Sequence, residues 1–457
     1  MTRFWAAVPA EGIAPMTLLR WNAGRRGSSY LRTRSVPASE RGTDSLEIAG
    51  VGEAVVLESV GPSRLDTLSF EVRRAFEILR RVGGVGLSDA SFHPLFLGGF
   101  AFDPDWAPPT EGPWVGFSPA RLVLPEWTIL RRGSEARLLG VAPEGLSSEQ
   151  AATWLRTGLG ETLEALRGVQ AHRPSATQVA SMSSTRIDAR RESGYEQQVR
   201  AALDSIAAGD LHKVAVARSE EIQPAVPVEV SSLLQTLGDS FPSCYIFSIQ
   251  PEGADAFIGA SPEQLLSCSS GSVRADALAG TAARGVSDRE DDALGLELMN
   301  SLKERREHDA VVRYLRKALS PVTSTLSSSE TPQLLRLANV QHLHTPFHGE
   351  LRNGEGVLDL AHRVHPTPAV AGLPRAEAIQ WLAEQEELDR GWYAGGVGYV
   401  APDGGGTFCV AIRSGLVTRE SVHLFAGAGI VEGSEPARES AEVRQKLAGL
   451  KEVLLNA

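Results

Sequence analysis

Apolar positions along this chain alternate between the spacing of helices and the period of two that marks strands. Leu68, Val72, Phe76 and Leu79 recur at helical intervals and predict an amphipathic helix closed by Gly83-Gly84. A second helix is predicted over 148–167. Residues 22–48 are polar and rich in Arg, Ser and Gly, which predicts loops or irregular strands. Residues 168–184 carry Gly, Pro, Ser and Thr without periodicity and read as a linker. Beyond it, Ser193 and Glu196 have capping-box spacing, with an apolar stripe of Tyr195, Val199, Ala202 and Ile206 up to Gly209-Asp210. Short strand candidates then alternate with a few strong helices. Helices fall between only some consecutive strands, so the pattern argues for a largely antiparallel α+β fold.

The length of 457 residues allows two or three ordinary domains or one large layered one. The net charge of −11 disfavours nucleic acid as a partner. Cys244, Cys268 and Cys409 are few, odd in number and far apart, so neither a disulfide framework nor a zinc site follows, and a reducing cytoplasm is expected. No signal peptide or membrane span is expected. The glycine clusters at 83–86 and 427–429 do not match the dinucleotide fingerprint.

Lys213 lies in a strand-like run, Leu211 to Arg218, and shares a face with Ala215 and Ala217. A long amine on a small-residue face either snorkels to solvent or is buried. Burial lowers a lysine's pKa, which is how lysine becomes a base near neutral pH. Further on, Glu304 and Glu307 lie three apart on a helix opened by Ser301, on the face continued by Val311 and Leu315. Ser301 with Glu304 also suits a capping box. The last helix, with Ser434 as expected N-cap and Pro436 in its first turn, places Glu439 and Glu442 three apart near the stripe Val443, Leu447, Leu450 and Leu454. A surface pair Glu442–Lys446 would explain part of this. Two inward-facing carboxylate pairs together suggest a divalent cation, and oxygen ligands without Cys or His point to Mg²⁺.

Taken in order, several segments resemble the chorismate-utilising enzymes and, among them, the isochorismate synthases. They are Leu211 to Arg218, Phe257 to Glu263, Leu278 to Thr281, Lys303 to His308, Val340 to Leu343 and His365 to Ala369. Asp389 to Gly396, Ala411 to Arg413 and Ala426 to Val431 complete the set, which covers roughly 190–450. The resemblance implies one large fold of layered antiparallel sheets with helices outside. Residues 1–170 would be its N-terminal part and 185–457 the catalytic region.

The resemblance also implies roles. Family members that add ammonia carry glutamine where this chain has Lys213, and those that add water carry lysine. Lys213 would activate water for attack at C2 of chorismate, and Glu263 would protonate the departing C4 hydroxyl. Glu307 and Glu442 would bind Mg²⁺ directly, supported by Glu304 and Glu439. Arg413 and Tyr393 would hold the enolpyruvyl carboxylate, with Gly280, Thr281, His342, Gly427 and Lys446 completing the lining. Ala369 stands where salicylate synthases carry threonine, which favours release of isochorismate. The N-terminal part and the run Asp389 to Tyr393 resemble the menaquinone-type enzyme more than the siderophore type. A salicylate synthase and a catalytically silent chorismate binder are the alternatives, and no obligatory protein partner is inferred.

Overall fold

The computed structural model describes residues 2–34, 45–82, 92–171, 182–185, 189–337 and 340–456. Its described strands form two large sheets of 13 and ten strands, antiparallel except where Arg3–Pro9 meets Leu79–Arg81, with ten helices packed around them. Both sheets draw strands from both halves of the chain. In the larger sheet, Tyr245–Gln250 pairs with Ser28–Arg32. In the smaller, Gly396–Val400 pairs with Phe96–Phe100. One apolar core runs between the layers, and strand alternation feeds it: Val214 and Val216 are fully buried on the face opposite Lys213. No helix among the described residues is long and apolar enough to cross a membrane.

Several expected boundaries shift. The first amphipathic helix spans Arg64–Glu77, and Leu79 begins the short strand Leu79–Arg81 that pairs with Arg3–Pro9. Strand pairing outweighs a helical spacing that Leu79 also satisfies. Gly83-Gly84 lies outside the described residues. The described residues of the expected linker, 168–184, carry regular structure: the helix Ser148–Ala171 runs into it, and Met182–Thr185 pairs with the Lys213–Pro224 strand. Ser193 is not an N-cap, because the helix Ala189–Ala208 already contains it. Ser434 does not cap the last helix, Pro436–Asn456; its hydroxyl accepts from Val431 N in the preceding turn. Within 22–48, regular strands occupy Ser28–Arg32 and begin at Leu46. Ser301 does cap the helix Leu302–Leu319, accepting from Glu304 N at 3.3 Å.

Candidate active site

The site is built on a bare patch of sheet. Lys213–Pro224 pairs antiparallel with Val422–Val431, placing Ala215 opposite Gly429 and Ala217 opposite Gly427. Opposed residues share a face, so these small groups leave a hollow with about 1020 Å³ of space, part of it open to solvent. Glu263, Gly280, Thr281, Glu304, Glu307, His342, Ala369, Tyr393, Arg413, Gly427, Glu439, Glu442 and Lys446 all line it. Lys213 lies just behind this lining and does not snorkel. It is 2% exposed, and its Nζ donates to Glu307 Oε1 at 2.7 Å. A Cβ on Gly429 would fall 2.7 Å from that oxygen and 2.9 Å from Lys213 Cε. A side chain there would have to push the amine or the carboxylate aside.

Two helices bring the four paired carboxylates to one end of the cleft, and lysines compensate them. Lys303 Nζ reaches Glu439 at 3.1 Å and Glu304 at 3.8 Å, while Lys446 pairs with Glu442 at 2.8 Å and donates to Gly427 O at 2.9 Å. The expected Glu442–Lys446 pair is therefore present and belongs to the cleft. Burial, then the negative charges of Glu307 and Glu442, push the Glu304 carboxyl up to about 7. Lys446 holds Glu442 below the usual carboxylate range against the opposing effect of burial. Among the described residues, no three His, Cys, Asp or Glu side chains converge into a closed metal cage.

Beside these carboxylates stand a buried carboxyl and a guanidinium–imidazole pair. Glu263 is buried, and desolvation, reinforced by Asp276, raises its carboxyl to about 8 despite Lys213, Arg413 and Lys446 nearby. His342 is pushed down to about 3, first by burial and then by the Arg413 and Lys446 charges, so it is neutral. Its Nδ1 lies 3.2 Å from Gly280 O and 3.1 Å from Thr281 Oγ1. The carbonyl can only accept, so Nδ1 carries the proton and Nε2 accepts from Arg413 Nη2 at 3.2 Å. That bond aims the guanidinium. Arg413 Nη1 is buried without a partner among the described residues, and the residue takes a left-handed φ of 49°. An unpaired buried cation donor beside the cleft calls for an anionic ligand. Gly280, at φ 77°, forms the register shift that turns Thr281 N toward Glu304 Oε2 at 3.3 Å. Tyr393 stacks on Phe425 with centroids 5.4 Å apart, making an aromatic wall.

Pattern reading passed over Lys303, Asp276, Phe425, Glu386 and Arg390 as site residues. Lys303, Arg390 and Phe425 line the cleft. Asp276, which pairs with Arg34 and His344, acts on Glu263 only through space. Neither spacing nor residue type marks such groups before the sheets assemble.

Comparison with known proteins agrees with this architecture. Residues 13–455 match the family model described as chorismate binding enzyme. A Bacillus subtilis protein named isochorismate synthase MenF is 34% identical over 448 residues, covering 96% of this chain and 90% of that protein. The salicylate biosynthesis isochorismate synthase of Pseudomonas aeruginosa is 38% identical over 363 residues, covering 79% of this chain and 74% of that protein. The solved structure of MenF, the menaquinone-specific isochorismate synthase from Escherichia coli, aligns with a TM-score of 0.79 at 29% identity, covering 98% of this chain and 94% of that one. The chain belongs to the chorismate-binding enzyme family and is an isochorismate synthase-like, chorismate-utilising enzyme. Anthranilate synthase component I from Streptococcus pneumoniae shares the fold, with a TM-score of 0.71 at 22% identity.

Proposed function

We propose that this enzyme is an Mg²⁺-dependent isochorismate synthase that converts chorismate to isochorismate and releases it. The observation that carries the proposal is a buried lysine and a carboxyl that keeps its proton to about pH 8, both serving one small-residue cleft. Lys213 takes a proton from water as its oxygen bonds to C2. The double bonds shift, the C4–O bond breaks, and Glu263 gives its proton to the departing hydroxyl, which leaves as water. One water enters and one leaves, so the product is an isomer of the substrate. Arg413, oriented by neutral His342, binds the enolpyruvyl carboxylate with Tyr393. Gly280, Thr281, Gly427 and Lys446 shape the remaining lining.

The acidic end fits a hard divalent cation, because its ligands are all carboxylates, and burial together with repulsion from Glu307 and Glu442 raises Glu304. Glu307 and Glu442 would hold Mg²⁺, with Glu304 and Glu439 supporting it through water. An ion that keeps several waters and takes one or two protein carboxylates needs no closed cage. An ion held by these carboxylates would supply charge neutralisation and orientation for the ring carboxylate of chorismate. Ala369 beside the cleft favours release of isochorismate over further elimination. The relatives' names support both a salicylate and a menaquinone setting. The long N-terminal part favours the menaquinone type, in the cytoplasm, where three buried free cysteines are at home.

The test is chromatography of products from purified protein, chorismate and Mg²⁺, with and without EDTA. Isochorismate alone, lost on chelation, is expected. Salicylate with pyruvate would move the enzyme to the salicylate synthases, and no Mg²⁺-dependent product would leave a silent binder.

A further inference from the structure

The strand carrying Lys213 changes partner along one edge. Lys213 and Val214 pair with Leu373 and Gly372, and Ala215 N donates to Ala371 O at 2.8 Å. Among the described residues, Met182–Thr185 pairs with the strand from Ile222 onward. At Ala215 O and Ala217 N, side chains stand in for a neighbouring strand. Glu386 Oε1 accepts from Ala217 N at 2.7 Å, and Arg390 Nη2 donates to Ala215 O at 2.5 Å.

Glu386 and Arg390 hold each other through two hydrogen bonds of 2.5 and 2.8 Å. Arg390 Nη1 donates to Val370 O at 2.9 Å, next to Ala369. Its guanidinium rests over the Phe102 ring, 4.2 Å from the centroid, and its carbonyl accepts from Tyr393 N at 2.8 Å. Arg390 thus joins the Lys213 strand and the Ala369 turn through its guanidinium and the Tyr393 turn through its carbonyl. Both charged side chains are almost fully buried, at 6% and 3% exposure. A buried ion pair is often no more stabilising than apolar residues of the same volume, so stability alone is a weak reason to have one. A bidentate guanidinium does supply direction.

We infer that Glu386 and Arg390 are positioning residues that clamp the Ala215–Ala217 edge to the Val370 wall and set where Lys213 presents its amine. The inference rests on the reading of Lys213 as the base. Misplacement of a catalytic group by about 1 Å can lower a rate by the order of 100-fold without any contact to substrate being lost.

Two variants test it. Arg390→Lys keeps the charge but cannot span Ala215 O, Val370 O and Glu386 together. The double variant Glu386→Leu/Arg390→Met removes both charges and leaves neither unpaired. At least one is expected to fold with wild-type circular dichroism, to lose kcat tenfold or more, and to keep KM for chorismate within threefold. Hydrogen exchange in the 211–218 peptide should accelerate in the same protein. A folded variant with kcat within threefold of wild type overturns the inference, as does a loss confined to KM. If neither variant folds, the pair serves stability and the positioning role falls. A wild type that makes no isochorismate defeats the proposed function instead. Exchange in Arg390→Lys then decides the clamp alone, with faster exchange supporting it and unchanged exchange overturning it.

Discussion

Lys213 shares its strand face with Ala215 and Ala217, and its amine ends on Glu307, a carboxylate that lines the cleft. Truncating it removes the proposed base without opening the apolar core on the strand's other face. Lys213→Ala is therefore expected to lower isochorismate formation by roughly 100-fold or more while thermal unfolding shows a folded protein. Turnover near wild type would remove the base assignment. Glu263 must be protonated to act, and its carboxyl is raised to about 8. Thus kcat/KM should fall as pH rises through about 8, and that alkaline limb should vanish in the residual rate of Glu263→Gln. A limb that persists in the variant belongs to another group. Lys213 was legible in the sequence because a long amine among alanines is a local anomaly. Arg390 and Glu386 were not, since their partners lie on Ala215, Ala217 and Val370, and no periodicity announces a side chain that substitutes for a strand.

At the scale of elements, two helices and one strand pair make the acidic end. The three-residue spacings of Glu304 with Glu307 and of Glu439 with Glu442 were readable from helical geometry alone. The lysines that compensate them were not, except Lys446, because Lys303 reaches Glu439 across two helices. The cross-strand register that places Gly429 over Lys213 and Glu307 was equally hidden. Local signals at helix ends misled at Ser193 and Ser434, where the longer helix or the preceding turn claims the residue. If the carboxylates hold Mg²⁺, Glu307→Gln and Glu442→Gln should each raise the Mg²⁺ concentration for half-maximal activity by about tenfold or more. This follows from replacing an anionic ligand for a hard cation by a neutral one. Titration of activity against Mg²⁺ checks it, and unchanged midpoints in both would remove them as ligands.

At the scale of the molecule, the antiparallel α+β class was legible because short alternating strands outnumber the helices between them. The interleaving of the halves was not. A stretch without periodicity reads as a linker, yet Met182–Thr185 pairs within the larger sheet. Because Ser28–Arg32 and Phe96–Phe100 pair with strands some 200 residues or more further on, neither half closes its sheets alone. Calorimetry is expected to show one cooperative unfolding transition, and two separable transitions would contradict a single unit. The whole arrangement exists, on this account, to add one water at C2 and release another from C4. The most direct measurement is mass spectrometry of isochorismate made in ¹⁸O-labelled water. The account predicts one labelled oxygen in the product, carried on C2. Product without label would mean that the hydroxyl migrates within the substrate, and Lys213 would have no water to activate.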